Sequence, residues 1–86
     1  MEVIFLPDAE EDLQYWISTA NKTTLKKIAQ LIDDIKIHPY SGVGKPEPLK
    51  YNLSGAWSRR ISKEHRLVYE VVNDTVLILS AKGHYF

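Results

Sequence analysis

Residues 49–82, LKYNLSGAWSRRISKEHRLVYEVVNDTVLILSAK, decide the fold. Apolar and polar positions alternate here with a period of two, the signature of strands with one buried face. Four segments satisfy it: Leu49–Leu53, Ala56–Ser62, Arg66–Val72 and Thr75–Lys82. The separators Ser54-Gly55, Lys63–His65 and Asn73-Asp74 are short and made of turn-forming residues. Spacers of that length join antiparallel neighbours, so a meander is expected.

Upstream of residue 49 the pattern changes. Residues 38–48 hold three prolines and two glycines and read as a loop. Before it, Leu25, Ile28, Ala29, Leu31, Ile32 and Ile35 recur at helical spacing, with Pro39 as the stop. Asn21 to Thr24 marks a break, and Ala9, Leu13, Trp16, Ile17 and Ala20 form an earlier apolar stripe. Asp8 followed by Glu11 reads as a capping box opening that helix, its acids complementing the dipole. Glu2–Leu6 is a short strand-like run ended by Pro7. The order β-α-α-β-β-β-β predicts an α+β domain spanning residues 1–86, with two N-terminal helices packed on a twisted antiparallel sheet.

Eighty-six residues suffice for one small core, and 44% of them are hydrophobic. Cysteine is absent, which excludes disulfides and thiolate metal sites. The three histidines are far apart in sequence and no HExxH pattern occurs, so no metal or cofactor is implied. GVGKPE lacks the spacing and the following helix of a phosphate-binding P-loop. The N-terminus does not read as a signal peptide, and no apolar run approaches a membrane span. A cytoplasmic protein without membrane association is the expectation.

Net charge is zero, but it is unevenly placed. Residues 1–20 carry five acids and no Lys or Arg, and residues 21–86 carry 11 bases against six acids. Six of those bases fall within residues 45–66, against Glu47 and Glu64. Local potential steers a polyanion more than net charge does, so a phosphate-binding face is compatible with neutrality.

Cleavage of RNA without metal, by attack of the 2′-hydroxyl on its own phosphate, requires three services. A base removes the hydroxyl proton, cations stabilise the phosphorane, and an acid protonates the leaving 5′-oxygen. Glu47, braced by Pro46 and Pro48, is a candidate base; a solvated loop carboxylate would have the same local sequence. Strand parity puts Arg60 on the face opposite Trp57 and Ile61, which belong under the helices. Arg59 shares the phase of Trp57 and fits either a sheet edge or a structural pair. Arg66 opens the next strand, where its fork could meet a phosphate, and Lys50 is a point charge close to Glu47. His84, two residues from the end, has the titration range of a general acid. His38 fits a helix C-terminus, and His65 an exposed turn. Tyr51, Tyr85 and Phe86 are candidate stacking platforms, worth roughly 1–3 kcal/mol per base.

The motifs KPEPLKYNLSG (45–55), WSRRI (57–61) and EHRLVY (64–69), with His84-Tyr85, resemble the YoeB-type toxins of the RelE-like toxin–antitoxin superfamily. The resemblance is collinear over essentially the whole chain. It implies the RelE-like microbial ribonuclease architecture, with a concave active face. It implies a ribosome-dependent endoribonuclease that cleaves mRNA in the decoding site, inhibits translation and is neutralised by a YefM-like antitoxin. On that basis Glu47 matches the base, Arg66 the catalytic arginine, His84 the acid and Tyr85 its neighbouring tyrosine. Lys50 and Arg60 match positions that contact RNA or shape the site, and Arg59 and Tyr51 join them as substrate-binding candidates. A homodimer, and operator DNA bound only through the antitoxin complex, belong to the same expectation. Tyr51 stands where a relative has histidine, Gly83 where a bulkier residue is common, and Phe86 lies one residue past the usual end. The residues alone also fit a non-catalytic RNA- or ribosome-binding translation inhibitor, and an interaction domain whose charges only solvate it.

Overall fold

The computed structural model describes residues 1–83, so His84, Tyr85 and Phe86 lie outside the described residues. The chain runs β1 (Glu2–Phe5), α1 (Pro7–Ser18), α2 (Lys22–Ile37), β2 (Glu47–Pro48), a 3-10 turn (Tyr51–Leu53), β3 (Trp57–Arg60), β4 (Arg66–Val72) and β5 (Thr75–Ser80). The expected α+β order holds. The five strands lie side by side as β1-β5-β4-β3-β2. The last four form the antiparallel meander, whereas β1 pairs with β5 in parallel, making the sheet mostly antiparallel. Val3 and Phe5 pack against the core. The meander leaves one edge of β5 open, and β1 closes it with Glu2 opposite Thr75 and Phe5 opposite Ile78.

Four strands differ from the sequence expectation: β1 ends at Phe5 rather than Leu6, and β3 covers Trp57–Arg60 rather than Ala56–Ser62. Leu49–Leu53 is not a strand: pairing stops after Pro48 and the chain coils into the 3-10 turn, with Tyr51 in a left-handed conformation (φ 58°). Glu47 is therefore on an edge strand rather than in a loop. Pro48 is tolerated there because an edge strand can spare one N–H. The strand expected at Thr75–Lys82 ends at Ser80.

The helices begin differently too. Leu6, not Asp8, is the α1 N-cap, and no side chain caps that end. Pro7 takes the first helical position, where its preset φ is favourable and its missing N–H costs nothing, so Asp8 falls inside the first turn. At α2 Asn21 Oδ1 accepts the Thr24 N–H at 3.1 Å. Ala9, Trp16, Ile28, Leu31 and Ile35 are buried against Leu67, Tyr69, Val76 and Ile78, placing the core between the helices and one sheet face. Ile17 is 50% exposed and outside that stripe, and Ala29 is exposed.

Arg59 ties the loop before β2 to the sheet. Its side chain is fully buried. Nη1 donates to Asp34 Oδ2 at 2.5 Å and to the Val43 carbonyl at 3.0 Å, Nη2 to the carbonyls of His38 and Ser41, and Nε to the Tyr69 hydroxyl at 3.2 Å. The Tyr69 hydroxyl donates onward to the Pro39 carbonyl at 2.6 Å. Burial pushes the Tyr69 hydroxyl above its ordinary pKa, which keeps that donor proton in place. Gly44 completes the join, since a Cβ on it would meet Leu31 Cδ2 at 2.8 Å at a φ of +83°. Its carbonyl accepts the Arg60 N–H at 2.7 Å.

The hydrogen bond from Arg59, and next the Val43 N–H, hold the Asp34 carboxyl below the usual carboxylate range. A folded-state pKa below the unfolded one, about 3.9, stabilises the fold above that value. The contribution disappears as pH falls through the folded-state value. Urea unfolding should thus find Asp34→Asn less stable than wild type at neutral pH, with the gap closing in acid. A gap constant across the range would mean that the carboxylate charge contributes nothing.

Candidate functional site

Register assigns the faces. Glu47 is opposite Ser58, Arg60 is opposite Arg66, and Ser58 and Arg60 are two residues apart on β3. Directly opposed residues and i, i+2 neighbours share a face. Glu47, Ser58, Arg60 and Arg66 therefore stand on the sheet face away from the helices. They line one open cavity of about 450 Å³ with Lys45, Pro48, Leu49, Lys50, Tyr51 and Leu53. The structure thus brings together Glu47, Lys50, Tyr51, Arg60 and Arg66.

Strands β3 and β4 form the floor, and β2 with the 3-10 turn forms the rim. Ser58 is buried beneath the cavity, and Arg60 is exposed. Arg66 Nη1 donates to the carbonyls of Ser62, Lys63 and His65 at 2.8, 3.3 and 3.2 Å. Those bonds anchor one end of its guanidinium in the turn between β3 and β4. Its remaining donors have no hydrogen bond among the described residues. Lys45 and Tyr51 border Glu47 on either side, both at positive φ (52° and 58°). Ala20 and Asn73, the other non-glycine residues at positive φ, lie in the α1–α2 connection and the β4–β5 hairpin, where turns account for them. Tyr51 opens the 3-10 turn, in which the Leu53 N–H donates to the Lys50 carbonyl at 3.1 Å, and it stands at the cavity rim with 90% of its surface exposed.

Two guanidinium groups on directly opposed strand positions repel each other unless an anion lies between them. The ion pairs among the described residues are Arg59–Asp34 and the Met1 amino group–Asp74. Neither Arg60 nor Arg66 has a carboxylate partner among them. Such a pair offers charge complementary to a phosphate, with a carboxylate on the same face and a flat aromatic ring at the mouth.

Two candidates need correction. Arg59 is not a substrate-binding residue: it is fully buried on the helix side, and all three of its nitrogens are bonded to protein. Its phase with Trp57 carried the right signal, and an acid on α2 completes the structural pair. His65 is not an exposed turn residue. It is half-buried, its ring is edge-on to Trp16 at 4.8 Å, and its Nδ1 accepts the Gly83 N–H at 3.0 Å. His84, Tyr85 and Phe86 lie outside the described residues. Lys45, Ser58, Leu49 and Leu53 were not singled out as lining residues, although Ser58 has the parity of Arg60. Among the described residues no group of three His, Asp or Glu converges as a metal site, and no helix is long and apolar enough to cross a membrane.

The family model described as the YoeB-like toxin of bacterial type II toxin–antitoxin systems matches residues 5–85. Toxin YoeB of Escherichia coli (strain K12) is 51% identical over 85 residues, covering 99% of this chain and all of that protein. A YoeB-YefM complex from Staphylococcus aureus contains a chain superposing with a TM-score of 0.89 at 45% identity, covering 99% of this chain and 98% of that one. A YoeB dimer from the same organism superposes with a TM-score of 0.90 at 44% identity, with the same coverage.

Proposed function

The chain belongs to the YoeB-like toxin family of bacterial type II toxin–antitoxin systems, and from that premise we propose that it is a ribosome-dependent endoribonuclease that cleaves mRNA in the decoding site. The observation that carries the reading is the shared face of Glu47, Arg60 and Arg66 around one cavity. Glu47 takes the proton of the 2′-hydroxyl, whose oxygen attacks the adjacent phosphorus. Arg66 and Arg60 stabilise the phosphorane charge, which is greater in the transition state than in the bound RNA and so lowers the barrier. His84 gives a proton to the departing 5′-oxygen, and Tyr85 positions the nucleotide. Products are a 2′,3′-cyclic phosphate, or a 3′-phosphate after its hydrolysis, and a 5′-hydroxyl. Lys50 holds a flanking phosphate and Tyr51 stacks on a base. This chemistry is metal-independent.

A YefM-like antitoxin is the proposed neutralising partner, supported by the complex formed by the S. aureus relative. Homodimerisation is supported likewise by the S. aureus dimer. Operator DNA would be reached only through the antitoxin complex, and the expected compartment is the cytoplasm.

Transcript ends mapped in cells arrested by the wild-type chain test the reading. New ends bearing 5′-hydroxyl groups, at positions set by the reading frame, are expected with wild type and not with His84→Ala. Arrest with intact transcripts would instead make the chain a non-catalytic translation inhibitor.

A further inference from the structure

Beyond Ser80 the regular ladder of β5 stops, yet both backbone groups of Ala81 and both of Gly83 are held. The Ala81 N–H donates to Asp12 Oδ2 at 2.9 Å, and the Ala81 carbonyl accepts from Trp16 Nε1 at 2.9 Å. The Gly83 carbonyl accepts the Arg66 N–H at 2.9 Å, and the Gly83 N–H donates to His65 Nδ1 at 3.0 Å. Lys82 Nζ lies over the Tyr15 ring, 4.5 Å from its centroid. Side chains of α1 and of the β3–β4 turn, together with the backbone N–H that opens β4, are thus the partners of this segment.

The last of these contacts is the most exacting. A backbone N–H can only donate, so His65 Nδ1 must present its lone pair and any ring proton of the neutral imidazole must sit on Nε2. The ring cannot swing away freely, because it stands edge-on to Trp16 with an interplanar angle of 79°. Gly83 itself is at φ +88°, with nothing within 4 Å of a built Cβ. Glycine has no side chain to restrict that conformation, so its two hydrogen bonds must do so. One comes from His65 and the other from Arg66, a residue of the candidate site. The next residue along the chain is His84.

We propose that His65 is a positioning residue for the general acid: by accepting the Gly83 N–H it holds the backbone of the residue that precedes His84 in the chain. The inference rests on the endoribonuclease reading above. A proton donor acts only within hydrogen-bond reach of the leaving oxygen, and a displacement of about 1 Å can cost roughly 100-fold in rate. A glycine hinge directly before the acid would allow such a displacement if the clamp were absent.

Two substitutions separate positioning from packing. His65→Phe keeps an aromatic ring on Trp16 and removes the acceptor. His65→Asn gives up the ring but can place an amide oxygen near the Nδ1 position. Single-turnover cleavage on programmed ribosomes should be about 10- to 100-fold slower for His65→Phe, with binding to the ribosome unchanged. His65→Asn should recover most of that rate. In a His84→Ala background His65→Phe should slow residual cleavage no further, since its effect runs through His84. Gly83 amide exchange should show protection in wild type and His65→Asn, and loss of it in His65→Phe.

Wild-type cleavage by His65→Phe, alongside an impaired His84→Ala, overturns the positioning role. So does equal slowing by His65→Phe with and without His84, which would mark a purely structural residue. Full activity of His84→Ala overturns the acid assignment, and the positioning role with it. The Gly83 exchange measurement reads the clamp independently of catalysis, and equal exchange in wild type and His65→Phe refutes it.

Discussion

Glu47→Gln is expected to slow RNA cleavage by roughly 10²- to 10⁴-fold, the range over which a positioned general base contributes. The substitution keeps the shape of the side chain and removes its ability to take a proton. Glu47 is exposed on an edge strand and makes no hydrogen bond or ion pair through its side chain among the described residues, so folding should be unaffected. Ribosome association should also persist, because Lys50, Arg60 and Arg66 remain on the same face. Single-turnover cleavage of mRNA on programmed ribosomes, with thermal unfolding measured in parallel, checks both halves. Cleavage within about threefold of wild type would remove Glu47 from the base role, being far less than the loss of a general base.

Arg59→Met should have the largest effect on stability, about 3–5 kcal/mol, as when one partner of a buried charge network is removed. Methionine fills part of the volume but offers no donor to the carbonyls of His38, Ser41 and Val43 or to Tyr69. A domain of this size is stable by roughly 4–13 kcal/mol, so the loss is a large fraction of the total. The neighbouring Arg60→Met serves as the contrast. Arg60 is exposed and has no ion pair among the described residues, so its removal should scarcely change stability while weakening RNA cleavage. Urea unfolding of both variants decides the matter. If Arg59→Met unfolds at the wild-type midpoint, the loop before β2 does not depend on that guanidinium. The loop matters because it delivers Glu47: residues 38–44 are fastened to β3 by Arg59 and by the Gly44–Arg60 backbone bond, and β2 begins three residues later.

Much of this was legible because strand parity is a local property. Arg60 and Trp57 must face opposite ways in any strand that contains both, whatever that strand pairs with. The period-two pattern likewise anticipated β4 at Arg66–Val72, residue for residue. The expectation at Leu49–Leu53 failed because alternation is necessary for a strand but not sufficient. Past Pro48 only the Leu49 N–H still meets the neighbouring chain, at the Ala56 carbonyl 2.9 Å away, and Tyr51 adopts a left-handed conformation foreign to a strand. Asp8 failed as a cap for a local reason, since Pro7 is itself a good first helical residue. His65 was misread because its three immediate predecessors are exposed, and nothing nearby in sequence announces Trp16 or Gly83, 49 and 18 residues away.

Residue pattern alone specifies the element order, the opposite phases of Arg59 and Arg60, and the family. Each of these depends on short-range periodicity or on the identity of residues in contiguous motifs. The tertiary structure decided which elements meet. It set β1 parallel beside β5, committed Arg59 to Asp34 and the loop carbonyls, and turned His65 toward the tail. Those pairings join residues far apart in the chain, and burial selects them: an enclosed guanidinium or amide must find a partner, and only the packed fold places one within reach.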